Sequence, residues 1–202
     1  MAFAYIVRCN FTEPDREAAW NAWYGGPKIV QMLAQPYFLT CQRFRRAAGG
    51  GRDYLALWTV TAPEALKTRQ YTSQWGFADW ERYVTDWSRD LFDARSAPDD
   101  AFGVPARGSL HVVSFDGINA DEAEAARATV AARLRGMAWL PIAGLDRHTP
   151  LIGLQTLPDS GSLVDRRDGK IQEAIYRPIS ELHRSAASQH RRADENQREV
   201  RQ

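Results

Sequence analysis

The chain has 202 residues, 44% of them hydrophobic and 25% charged, with 26 Lys and Arg against 25 Asp and Glu. That is enough apolar material for a substantial core, arranged as one domain or as two of about 100 residues. A net charge of +1 argues against a nucleic-acid partner, which usually requires a marked basic excess. No apolar run approaches the roughly 18 residues needed to span a bilayer, so no membrane partner is expected.

Phe3 to Phe11 is a short apolar run of strand type. Arg8 interrupts it and no basic leader precedes it, so it reads as a first strand and not as a signal peptide. The two cysteines, Cys9 and Cys41, fall on expected strands and read as small core residues of a protein in a reducing cytoplasm. Thr12-Glu13-Pro14-Asp15 carries the chemistry of a helix start, with a hydroxyl to cap, a proline for the first turn and an acid near the amino end. The helix that follows places Ala19, Trp20, Trp23 and Tyr24 on one side. Gly25-Gly26-Pro27 is expected to break or kink it, and Lys28 to Gln35 forms a second helical piece.

Phe38 to Arg46 and Asp53 to Thr61 alternate as two strands around a glycine-rich turn, which makes a hairpin. A second helix is expected from Ala65, capped at Thr61 and Glu64. Its later part would carry Trp80, Tyr83, Val84, Trp87 and Leu91 on one face. Residues 96–109 read as a linker or crossover. Leu110 to Phe115 is again strand-like, Asn119 and Glu122 form a capping box for an alanine-rich helix over Asp121 to Arg135, and Trp139-Leu140-Pro141 sits where the first half has its broken helix. Leu151 to Leu157 and Ile171 to Pro178 read as strands, with a polar loop over Asp159 to Lys170 between them. Glu181 to Gln202 reads as a solvated helix or tail.

The element order therefore repeats. The expected architecture is α+β, with two tandem ferredoxin-like units over residues 1–97 and 98–180, the second degenerate, closing into one single-chain barrel, followed by a polar segment over 181–202. Residues 1–97 hold 18 of the 22 aromatic side chains, so the halves differ in what they pack or bind. Trp20 to Phe44 is where large rings, a flexible backbone and an isolated ionisable group occur together, which points to a small-molecule pocket. Trp20, Trp23, Tyr54 and Trp58 are candidate walls, Tyr24 and Lys28 candidate acid–base groups. Arg43, on the same side of its strand as Arg45, is a candidate to hold a substrate anion inside the barrel. His148 and His111, in the second half, are candidates to complete an acid–base pair across the pseudo-twofold.

Trp20-Asn21-Ala22-Trp23-Tyr24, the following Lys28, Met32-Leu33, Pro36-Tyr37-Phe38 and Arg43-Phe44 resemble the dimeric α/β-barrel superfamily, and within it the EthD-like proteins. That pattern has a Trp-Tyr pair on the first helix, a His four residues on, leucines, a Pro-Gly-Phe turn and an Arg-Phe strand. Lys28 stands in the place of the His and Tyr37 in the place of the Gly. A lysine acting there as acid or base needs its pKa lowered by burial or by a neighbouring cation. The resemblance implies a small-molecule enzyme, and the absence of glycine-rich phosphate loops, HExxH, paired-cysteine zinc patterns and G-x-S-x-G elbows speaks against nucleotide-driven chemistry, structural zinc and serine hydrolysis; a haem ligand, which needs only one His, stays open, and chemistry without a cofactor is the leading expectation. Proton transfer leading to isomerisation or elimination on a small aromatic or apolar metabolite is the leading expectation. Cofactor-free oxygenation of an electron-rich ring and a non-catalytic binding or assembly role are the alternatives, and association into a homodimer is left open.

Overall fold

The computed structural model describes residues 2–97, 102–158 and 171–189. In chain order they form β1 (Phe3–Phe11), α1 (Pro14–Trp23), a π-helical turn (Tyr24–Lys28), α2 (Ile29–Leu33), β2 (Phe38–Gly49) and β3 (Tyr54–Val60). A 3₁₀ turn (Pro63–Lys67), α3 (Arg69–Gln74), a second 3₁₀ turn (Ala78–Tyr83) and β4 (Val84–Asp93) complete the first half. The second half contributes β5 (Ser109–Ser114), α4 (Ala120–Ala131), β6 (Ala138–Leu145), β7 (Leu151–Leu157), β8 (Gln172–Pro178) and the short β9 (His183–Arg184). The expected loop over Asp159 to Lys170 lies outside the described residues, as does the expected tail from His190 onward.

Each half is a four-stranded antiparallel sheet of ferredoxin-like order, β4-β1-β3-β2 in the first and β8-β5-β7-β6 in the second. The sheets join edge to edge, β2 with β8 and β4 with β6, which closes one eight-stranded barrel within the chain. Strand alternation then sorts side chains into three layers. Ile6, Phe44, Leu55, Leu57, Phe92, Leu110, Val112, Ile152 and Leu154 fill the barrel. The odd residues Tyr5, Val7 and Cys9 of β1 and the even residues Tyr54, Ala56, Trp58 and Val60 of β3 face outward, beneath α1, the π turn and α2. A smaller outer layer, including Val113, Phe115 and Ala123, lies under α4.

Several expectations change. Gly25-Gly26-Pro27 does not break the first helix; the chain passes through it as a π turn. The wider turn accommodates the missing proline N–H and spares its ring a clash with the carbonyl four residues back. Glu13, not Thr12, holds the N-cap position of α1, and Thr12 Oγ1 donates to the Tyr83 carbonyl at 3.0 Å. The expected second helix ends at Gln74, and Val84 to Asp93 is the strand β4. Its helix-like spacing has a specific cause: a register shift opposite Arg8 to Asn10, with Asp86 at φ 45°, moves the outward parity from Val84 to Trp87 and Leu91. Trp139 to Pro141 pair with β7 as part of β6, and His183 and Arg184 pair with Cys41 and Thr40 of β2 in place of the expected helix or tail start. The Asn119 and Glu122 capping box forms as expected, at 2.9 and 3.1 Å.

Phe44 is fully buried at the centre of the barrel filling, whereas Val30 on α2 is 68% exposed. Phe44→Ala is expected to cost about 3–5 kcal/mol of unfolding free energy in urea titrations, and Val30→Ala under about 0.5 kcal/mol.

Candidate functional site

The candidate site lies outside the barrel, between the first half-sheet and its helical cover. Tyr5 and Val7 of β1, Trp58 of β3, and Trp87 and Arg89 of β4 form its floor. Tyr24, Lys28 and Met32 come down from the π turn and α2, and Trp75, Gly76 and Phe77 close it from the α3 side. Gly76 sits at φ +92°, a backbone conformation that favours glycine, and turns the chain sharply between the two bulky rings. The free volume is about 20 Å³, room for one water. A wider hollow of about 950 Å³, bordered by Phe102 to Ala106 and β9, contains none of the residues singled out from the sequence.

Lys28 is buried, and its amine donates to the backbone carbonyl of Gln74 and lies 6.0 Å from the Trp23 ring. Gln74 is itself pinned, its side-chain oxygen accepting from Gln35 Nε2 at 2.9 Å. Burial, with no charged partner to offset it, lowers the lysine pKa to about 8. Tyr24, on the same wall, is also buried, and burial pushes its phenol well above the usual range. Trp58 exposes almost nothing to solvent, and its indole N–H makes no hydrogen bond among the described residues, although it lies near enough to Tyr24 to favour the phenolate slightly.

Arg89 was not foreseen from the sequence. It projects from β4 into the cavity wall, donates through Nε to Asp146 at 3.2 Å and through Nη1 to the Tyr71 hydroxyl at 3.3 Å, and carries the Trp75 ring 3.8 Å from its guanidinium carbon. Tyr71 continues to Tyr5, hydroxyl to hydroxyl, at 3.0 Å. The polar groups of the wall are thus two cations, two phenols and the N–H groups of three indoles, and no carboxylate or imidazole lines it among the described residues.

The remaining expected residues sit elsewhere. Arg43 faces the helical side, as its parity with Arg45 requires, but it does not point into the barrel and does not line the cavity. Asn21 takes its guanidinium through the backbone carbonyl at 3.2 Å and Oδ1 at 2.8 Å, and the rings of Tyr24, Trp20 and Tyr54 surround it at 4.3, 4.9 and 5.8 Å. Trp20 is completely buried and stacks on Phe11 at 4.5 Å. Tyr54 donates to Glu17 and accepts from Asn21. Trp23 flanks Lys28 from outside the cavity wall and packs on Trp80. These side chains brace α1 against the sheet.

His148 is exposed on the turn before β7, and its backbone N–H donates to Asp90 at 2.9 Å. That contact belongs to a buried charge cluster at one end of the barrel, where Arg8 meets Asp116 at 3.0 Å and Asp90 at 3.7 Å, and Arg52 meets Asp116 at 2.9 Å. His111 bonds Glu173 at 2.9 Å on the outer face of the second half, and Glu173 takes both prongs of Arg133 at 2.9 and 2.8 Å. Neither histidine reaches the aromatic cleft. Among the described residues no cluster of His, Cys, Asp and Glu has the makings of a metal site, and no helix is long and apolar enough to cross a membrane.

No protein-family model matches the chain, and no curated protein matches it by sequence. Solved structures do match it in fold. An anthrone oxidase-like protein superposes with a TM-score of 0.60 at 10% identity, over 93% of this chain and 94% of its own. A provisionally assigned monooxygenase from Fusobacterium nucleatum superposes with a TM-score of 0.52 at 10% identity, over 91% and 94%. The chain shares their fold, with two ferredoxin-like units closed into one barrel.

The lowered pKa of Lys28 has a thermodynamic sign. Between about pH 8, where the folded lysine titrates, and roughly pH 10.4, where the unfolded one does, the unfolded chain binds more protons, so this group adds stability as pH rises. Lys28→Met is therefore expected to be more stable than the native chain at pH 7, with an advantage that shrinks between pH 8 and 10. Paired urea denaturations across that range check it, and a constant difference would mean that Lys28 titrates normally.

Proposed function

We propose that the cleft beneath the π turn and α2 binds a flat, mostly apolar metabolite carrying a carbonyl or acidic hydroxyl, and that Lys28 moves a proton on it without a cofactor. The observation that carries this reading is the composition of the wall: Tyr5, Trp58, Trp75, Phe77 and Trp87 offer ring faces, and Lys28 and Arg89 offer positive charge, with no carboxylate in the wall itself among the described residues and Asp146 holding Arg89 from behind. Such a wall attracts oxygen acceptors and developing negative charge. The placing of an ionisable side chain four residues after the Trp23-Tyr24 pair, as in the EthD-like pattern, supports the choice of Lys28 for the proton.

With a pKa near 8, a useful fraction of the Lys28 amine is neutral at physiological pH. It takes a proton from the carbon next to the carbonyl or from the hydroxyl and becomes an ammonium. The anion left behind is delocalised over the substrate ring and faces Arg89, which Asp146 and Tyr71 hold in place. Return of the proton to a different atom gives the isomer; departure of a leaving group from the anion gives elimination. Arg89 takes the anion-holding role that the sequence suggested for Arg43, whose guanidinium is already committed to Asn21.

At about 20 Å³ the cavity is too small for a ring, so entry requires the Trp75 to Phe77 segment to swing away and the Trp75 ring to leave Arg89. An incoming aromatic ring replaces that stacking contact, which offsets the cost of opening.

A second reading is favoured by the fold match to an anthrone oxidase-like protein and a provisionally assigned monooxygenase. In it the same substrate anion is oxidised by dioxygen, a methylene becoming a carbonyl with release of water. Both readings share the first deprotonation and part only at the fate of the anion.

The test uses 2-tetralone in deuterated buffer, with exchange at the activated methylene followed by mass spectrometry. The native chain is expected to accelerate exchange, with kcat/KM rising with pH to a plateau above about 8, the base being active only when unprotonated. Lys28→Met and Arg89→Gln are each expected to reduce it on the order of 10²-fold. Exchange unaffected by either substitution would overturn the assignment. Oxygen uptake with anthrone, absent in Lys28→Met, would move the conclusion to the second reading.

A further inference from the structure

Two hydroxyls that the proposed proton transfer does not use, those of Tyr71 and Tyr5, are joined by hydrogen bonds to Arg89. Their hydrogen-bond directions follow from valence. A guanidinium has donors and no acceptor, so Arg89 Nη1 donates to the Tyr71 oxygen, at 3.3 Å. Tyr71 is 1% exposed and is not part of the cavity wall. The one acceptor within reach of its own O–H, among the described residues, is the Tyr5 oxygen at 3.0 Å. The opposite direction would leave the Tyr71 hydrogen buried with nothing to meet. Tyr71 therefore donates to Tyr5, and the Tyr5 hydroxyl hydrogen is left without an acceptor on a residue that lines the cavity.

We propose that Tyr5 is the specificity-determining residue of the cleft, its O–H donating to a carbonyl or phenolate oxygen of the ligand after being polarised by Arg89 through Tyr71. The inference rests on the reading of the cleft as a ligand site and adds the atom that selects for oxygen. Each bond in such a chain strengthens the next, because a hydroxyl that accepts a charged donor becomes a better donor itself. Asp146 holds Arg89 from the far side, so the chain starts from a fixed charge near the surface and ends at a free donor in the cavity. Burial raises the Tyr5 phenol well above its usual range and keeps it protonated. That suits a donor and not a base. Tyr24 also lines the cavity, but no cation donates to its hydroxyl among the hydrogen bonds of the described residues; Arg43 meets the face of its ring.

The probes are 1-tetralone, labelled with ¹³C at the carbonyl, and tetralin, which has the same rings and no oxygen. The full native chain is expected to bind tetralone on the order of tenfold more tightly than tetralin, the worth of one good hydrogen bond, and to shift the bound carbonyl stretch to lower frequency. Tyr5→Phe is expected to abolish both the preference and the shift while leaving tetralin affinity unchanged. Tyr71→Phe keeps the Tyr5 hydroxyl and removes its polarisation, so it is expected to give an intermediate shift; it also serves if Tyr5→Phe does not fold. Preference and shift that survive both substitutions would overturn the role of Tyr5 and leave the cleft standing. Failure of the native chain to bind either probe would overturn the cleft itself.

Discussion

Closure of the barrel is the constraint from which the rest follows. Neither four-stranded sheet can stand alone, because each would leave a row of unpaired backbone donors and acceptors on its outer strands. Pairing β2 with β8 and β4 with β6 removes those edges. It also commits one face of every strand to a shared apolar interior, filled from both halves by side chains such as Phe44, Phe92, Val112 and Ile152. The interior is therefore occupied, and the outer faces remain for chemistry. In the first half that outer face is roofed by a helix carrying a π turn, and the roof and sheet together enclose the aromatic cleft.

What distinguishes this cleft from ordinary core packing is its electrostatics. Large rings pack against one another throughout the first half, and most of them do nothing else. Trp20 on Phe11 is a stacked pair of that kind. Among the described residues around the cavity, by contrast, an amine with no acid beside it, a guanidinium held by Asp146 and an indole N–H with no hydrogen bond converge on one small space. Arg43 is a useful contrast a few ångströms away. Its charge is buried just as deeply, yet Asn21 and three aromatic rings account for it completely, so it holds α1 to the sheet.

The halves and their element order were legible because alternation in β1 and β3 is clean and the turns are marked by glycine and proline. Lys28 was legible for the same reason: a lone ionisable group directly after Gly25-Gly26-Pro27 stands out. Arg89 was not, because the bulge at Asp86 shifts the parity of β4 and gives Val84, Trp87 and Leu91 a spacing that imitates a helix. Tyr5 and Tyr71 carry no local signal at all; they come from a strand and a short helix 66 residues apart and meet only through the fold. Arg43 shows the reverse limit, since parity fixes which face a side chain takes and says nothing about which neighbours reach it first.

The central claim is that the cleft favours negative charge on a bound aromatic oxygen, and the most direct measurement is the ionisation of bound 2-naphthol followed by absorption as pH is varied. Burial in an apolar site acting alone would push that ionisation upward, whereas the two cations of the wall, Lys28 and the Asp146-held Arg89, pull it downward. The account predicts that bound naphthol ionises at lower pH than naphthol in water. Ionisation at the same or a higher pH would contradict it and would return the aromatic cleft to the role of a packed core.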